Sequence, residues 1–253
     1  PDKTGDWKIH YDGHPKSRYK NLDIAGLDSY DMDQSMTSKS LGSMVVYRRK
    51  NTMSGSLSDA PIALLYYRPT QKETFYDECL KGAVYWNLVG NVLIDAEKSL
   101  IVEYWKNQGC LKYFAPRPRK FDAPGGKQVH DIGVKLTTYS KPKMLGILQS
   151  WVYDHVEKCW HEDILQDLLD YDETIRESDW DSADALGIAL MRSADMQVKI
   201  TDDIKFAKED PFKLPEWAED ENGNAVIRKG GTIVVEDIKD PFLQLLYSGQ
   251  LNT

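Results

Sequence analysis

The sequence predicts an α/β fold, a mixed five-stranded sheet flanked by helices, with a C-terminal extension. Three observations lead there. Three strand-like stretches come first and close together: "LDIAGLD" (22–28), "GSMVVYRRK" (42–50) and "PIALLYYRP" (61–69), rich in Val, Ile, Leu and Tyr. Helical and strand patterns then alternate, which asks for parallel pairing in the second half of the sheet. The chain closes on helical patterns followed by an acidic, loop-rich tail.

Taken in order, residues 1–20 are polar and lack periodicity, and read as a linker or lead-in. The Ser/Gly-rich "NTMSGSLSDA" is a loop between the second and third strands, so the first three strands form an antiparallel meander. Over 70–90, Phe75/Tyr76, Cys79/Leu80, Ala83/Val84 and Asn87/Leu88 recur at helical spacing, and Gly90 supplies a stop. "NVLID" (91–95) is a short buried strand, "KSLIVEYWKNQG" (98–109) an amphipathic helix ending at Gly109, and "LKYF" (111–114) a fifth strand. Residues 115–141 are basic. Pro142 suits a first helical turn, and helices are expected over 143–160, 161–173 and 181–193. Beyond Met196 the candidates are one strand, "TIVVED" (232–237), and an apolar patch, "PFLQLLY" (241–247). The expected organisation is a lead-in over 1–20, one folded domain over 21–196 and an acidic extension over 197–253.

Composition narrows the function classes. With 253 residues, 41% hydrophobic content and seven Trp, the chain can bury a core and is not a wholly disordered segment. A net charge of −8 means that no global basic field advertises nucleic-acid binding, so any such contact must be local. Cys79, Cys110 and Cys159 are odd in number and widely spaced, and read as reduced thiols. No apolar run approaches the roughly 20 residues of a membrane helix, and no signal peptide is evident. The chain opens on Pro1 without an initiator Met, as expected of a piece of a longer polypeptide.

The acidic residues fall at informative places. Three antiparallel strands, then alternating helices and strands, is the order of the ribonuclease H-like fold, in which the first and fourth strands are neighbours. Asp28 ends the first strand and Asp95 the fourth, and adjacent strands lie about 5 Å apart. Asp181 and Asp184, three residues apart at a helix start, share one helix face and offer further carboxylates. Such a set suits Mg²⁺ or Mn²⁺, and two ions about 4 Å apart activate a water and stabilise the leaving oxygen of a phosphodiester. Each residue also has a plainer reading. Asp28 begins a turn; Asp95 caps the next helix, with Glu97 as the alternative ligand; Ser178-x-x-Asp181 fits a capping box. Asp31 and Asp33 read as solvated turn residues. His155, Cys159 and His161 lack the spacing of a four-ligand zinc site.

These stretches resemble a known family. "GLDSYDMDQSMTSKSLGSMVVYRR", "NLVGNVLIDAEKSLIVEYW" and "DWDSADALGIALM" are similar, in order, to three motifs in the nuclease domain of tailed-bacteriophage terminase large subunits, over roughly residues 21–196. The resemblance implies a metal-dependent DNA endonuclease that cuts concatemeric double-stranded DNA during viral genome packaging. In it Asp28, Asp95 and Asp181 are the catalytic, metal-binding carboxylates and Asp184 is an auxiliary ligand. The family often has Glu where Asp95 stands, which keeps Glu97 open. The resemblance further implies an ATPase domain elsewhere in the full chain, portal protein and small terminase subunit as partners, and the cytoplasm of a phage-infected bacterium as the location. No phosphate-binding Gly-rich Lys-Ser/Thr loop occurs here.

DNA would be held by the basic stretch 117–143, with Arg117, Arg119, Lys120, Lys127 and Lys141 as backbone contacts and Gly125-Gly126 as a flexible point. A solvated basic loop is the plain alternative. Two further readings stay open. One is a Holliday-junction resolvase or integrase-like nuclease of the same fold. The other is a non-catalytic portal-docking domain that uses the acidic tail.

Overall fold

The computed structural model describes residues 6–11, 21–30, 41–50, 58–96, 99–123, 132–171 and 180–203, together with three short strands between 216 and 233. Five strands form one mixed sheet. In chain order they are β1 (Trp7–Ile9), β2 (Asp23–Asp28), β3 (Gly42–Arg48), β4 (Ala60–Tyr67) and β5 (Val92–Ile94), and across the sheet the order is β1-β4-β3-β2-β5. β2, β3 and β4 make the antiparallel meander, β1 adds antiparallel to β4, and β5 lies parallel to β2 with Leu27 opposite Ile94. The expected α/β class and mixed five-stranded sheet are present.

The membership of the sheet differs from the sequence reading in two places. Residues read as lead-in supply the outer strand β1, a three-residue edge segment too short to display an alternating pattern. The strand expected over 111–114 is instead a 3₁₀ turn over Leu111–Tyr113, and Phe114 makes a single parallel bridge to Val92. The cause is local. Gly109, at φ 69°, ends the preceding helix, and the Cys110 N–H closes back on the Trp105 carbonyl. The chain re-enters the sheet so soon that only Phe114 is left to pair, stacked 4.5 Å from Trp105.

Strand alternation divides the core into two layers. Ala25, Leu27, Met44 and Val46 face the layer that holds Phe75, Tyr76 and Cys79 of α1 (Lys72–Tyr85) and Ile101 and Trp105 of α2 (Ser99–Asn107). Ile24, Val45, Tyr47 and Leu64 face the opposite layer, built by α3 (Ser140–His155), α4 (Glu162–Asp170) and α5 (Asp181–Asp203). Pro142 sits in the first turn of α3, where no intrahelical N–H bond is lost.

Helix α5 lies directly on β2. A Cβ on Gly26 would stand 1.9 Å from the Ala185 carbonyl oxygen and 2.4 Å from the Ala189 nitrogen, so only glycine permits this approach. The two run in opposite directions. Ser193 accepts from Arg49 Nε beside the start of β2, and Arg192 donates to the Gly90 carbonyl just before β5. The first turn of α5 therefore overlies the C-terminal ends of β2 and β5.

The chain divides into two compact units, Pro1–Asp203 and Ile204–Thr253. The second contains an antiparallel sheet of β6 (Glu216–Glu219), β7 (Ala225–Lys229) and β8 (Thr232–Ile233). β8 covers the start of the strand expected over 232–237; the apolar patch 241–247 lies outside the described residues. Among the described residues no helix is long and apolar enough to cross a membrane.

Candidate metal centre

Asp28 is the last residue of β2, and Asp95 follows the last residue of β5. The parallel register that pairs Leu27 with Ile94 makes these two aspartates lateral neighbours, and the Asp95 N–H points to the Leu27 carbonyl at 3.4 Å. Their facing follows from alternation. Gly26 lies against α5, and Leu93 packs with Ile188 and Met191 of the same helix. Two residues on, Asp28 and Asp95 face α5 as well. Asp95 is buried and Asp28 half-buried.

Asp181 is the first residue of α5 and is also buried. Its Oδ2 accepts the Leu41 N–H at 2.7 Å. Leu41 immediately precedes β3, where Ser43 pairs with Asp28 on one side and Tyr66 on the other. A row of Asp95, Asp28, Ser43 and Tyr66 thus crosses the end of the sheet beneath the start of α5. Ser43 is fully buried, and its Oγ has no hydrogen-bond partner among the described residues. Asp184, one turn into α5, accepts from the Tyr171 hydroxyl at 2.7 Å. Burial pushes its pKa up, opposed by Tyr171 and by the positive charge of Lys141.

The first free N–H groups within α5 are met from a separate helix. Asp167 of α4 accepts the Ser182 N–H at 3.0 Å and the Ser182 hydroxyl, and also reaches the Ala183 N–H. Ser178 lies outside the described residues. Sequence reasoning missed Asp167 because a cap delivered from a separate helix leaves no local spacing to find. The polar residue at a hydrophobic-face position of "EDILQDLLD" was the one available signal.

The basic stretch adjoins the same edge. After residues outside the description, the chain returns along β5. Val134 donates to the Ile94 carbonyl at 2.8 Å, accepts the Ala96 N–H at 2.9 Å, and makes a parallel bridge with Asp95. Gly133 is required here: its φ is 81°, and a Cβ would stand 2.8 Å from the Ile94 oxygen. Exposed Lys135 follows, and Lys141 lies in the first turn of α3 near Asp184. The upstream residues differ. Arg117 is paired with Asp122 at 2.7 Å, and Lys120 donates to the Ala194 carbonyl at 3.1 Å, whereas Arg119 is exposed. Lys127, Glu97, Asp31 and Asp33 lie outside the described residues.

The three aspartates converge on one sheet edge, yet among the described residues no group of three His, Cys, Asp or Glu side chains is placed to hold a metal ion. No family model matches the chain, and no curated protein matches it.

Proposed function

We propose that the chain is a metal-dependent DNA endonuclease domain of the ribonuclease H-like, terminase large-subunit type. The observation that supports this most is the end-of-strand pairing of Asp28 with Asp95 beneath a helix that begins with Asp181. Buried carboxylates brought toward one another are costly unless cations or hydrogen bonds offset their charge. The donor set fits a hard divalent ion: all of it is carboxylate oxygen, the preference of Mg²⁺ and Mn²⁺. The buried Ser43 hydroxyl beside Asp28 fits too, since a hydrated ion brings the hydrogen-bonding partner it lacks. Asp28, Asp95 and Asp181 would hold the ions and Asp184 would assist. Bound there, the metal supplies an activated water and neutralises charge on the scissile phosphate. Lys135, Lys141 and Arg119 would hold the duplex backbone beside that edge. A packaging ATPase elsewhere in the chain, portal and small-subunit partners, and the infected host's cytoplasm belong to the same reading.

Incubation of supercoiled plasmid with the purified chain across a Mg²⁺ and Mn²⁺ series tests it. Nicking or linearisation that disappears in chelator is expected. Cleavage undiminished by excess chelator overturns the metal mechanism.

A further inference from the structure

A cavity opens between β1 and the start of α4, away from the carboxylate edge: β1 and β2 are three strand spacings apart, about 14 Å across the sheet. It measures about 360 Å³, a size usual for small-ligand sites. Lys8 and His10 line it from the β1 side, and Trp160, His161, Glu162 and Asp163 from the α4 side. Trp160 is 66% exposed although His10 stacks on it at 4.8 Å, so its exposure falls to the opposite face and the rim. An open indole face carries negative π density and attracts cations. The fixed charges agree. Lys8 pairs with Asp163, and among the described residues no ion pair or hydrogen bond engages the exposed Glu162 carboxylate. His161 is 4% exposed, and its Nε2 has no hydrogen-bond partner among the described residues. Burial first, and His10 next, lower its pKa to about 4, so near neutral pH the ring is uncharged and one of its nitrogens is an acceptor.

A nucleic-acid strand does not suit these walls. Single-strand stacking platforms sit in positive grooves, whereas Glu162 and Asp163 would face the phosphates. A flat cation suits every part. A guanidinium stacks on an aromatic face, and its N–H fork matches a carboxylate; an ammonium is compact and strongly hydrated. We propose that this cavity is a guanidinium site, in which the cation lies on Trp160 and pairs with Glu162, and His161 beside them offers a ring nitrogen as acceptor. Free arginine and an arginine side chain of a protein carry the same group. The site does not depend on metal at the carboxylate edge.

The test titrates the full chain near neutral pH with three probes: L-arginine, N-acetyl-arginine amide and N-acetyl-lysine amide. Calorimetry reads affinity, and the NMR signals of the Trp160 indole and the His161 ring read location. Saturable binding of an arginine probe is expected, about 3-fold or more tighter than the lysine probe, with both signals moving. Trp160→Ala and Glu162→Gln should each weaken it about 3-fold or more while circular dichroism stays native. Blocked arginine that binds at least as tightly as free arginine assigns a protein side chain as the source; tighter binding of free arginine assigns a small molecule. No saturable binding of either arginine probe up to about 50 mM overturns the proposal. So does a lysine probe that binds equally well, or wild-type affinity in Trp160→Ala. If Trp160→Ala does not fold, Glu162→Gln decides: weakened binding supports the site, and unchanged binding overturns it.

Discussion

Gly26→Ala tests whether the contact of β2 with α5 sets the site. The new Cβ would lie 1.9 Å from the Ala185 carbonyl oxygen, against about 3.4 Å for ordinary contact, so helix and strand must separate by about 1.5 Å. The obstructing atoms are backbone and no rotamer change relieves them. Overpacking of a core typically costs about 1–3 kcal/mol, and a backbone obstruction belongs at the upper end. For a domain of this size each 1 kcal/mol lowers Tm by roughly 2–4 °C, so a loss of about 6–12 °C is expected. Asp181 sits one turn before Ala185, and the same displacement carries it away from Asp28 and Asp95. Thermal melting by circular dichroism and Mn²⁺ titration of the folded variant measure the two effects. A Tm within about 2 °C of wild type would refute the packing argument. Normal Mn²⁺ affinity despite a lowered Tm would refute its link to the site.

Three other outcomes follow from the same geometry. Asp28→Asn, Asp95→Asn and Asp181→Asn should each abolish plasmid cleavage while circular dichroism stays native; full activity in Asp95→Asn with loss in Glu97→Gln would move the ligand to Glu97. Lys141→Ala and Arg119→Ala should each flatten the dependence of log K for duplex DNA on log salt by up to about 0.9, and Arg117→Ala, whose guanidinium is held by Asp122, by less; equal slopes throughout would remove the basic stretch from the DNA path. His161 is buried, faces His10, Lys8 and Asp163, and has its pKa lowered to about 4, chiefly by burial. The folded form therefore excludes a proton that the unfolded chain accepts near 6.5, and stability on the order of 3 kcal/mol should be lost as pH falls from about 6.5 to 4. His161→Gln should flatten that acid limb in denaturant titrations, and an unchanged limb would assign it to other groups.

The parts of this molecule legible in its sequence are those with long local patterns. β2, β3 and β4 have runs of β-branched and aromatic residues, and α1 has helical spacing, although it ends at Tyr85, ahead of the expected stop at Gly90, with Asn87 at φ 51° just beyond it. The end-of-strand places of Asp28 and Asp95 were readable for the same reason, because strand limits and residue type coincide. What escaped depends on partners distant in sequence. β1 exists because β4 offers an edge, with Lys8 opposite Leu64. The 111–114 segment became a turn because Gly109 and Cys110 brought the chain back early. Asp167 reads as one more charge on an acidic helix until α5 is placed on it. Arg117 and Lys120 looked like free cations in "PRPRK", but Asp122 and the Ala194 carbonyl hold them.

The most direct test of the central claim is anomalous diffraction from crystals soaked in Mn²⁺. The account expects anomalous density at the C-terminal ends of β2 and β5, ligated by Asp28, Asp95 and Asp181, and its loss in crystals of Asp181→Asn. Manganese bound only elsewhere, or none at that edge at saturating Mn²⁺, would contradict it.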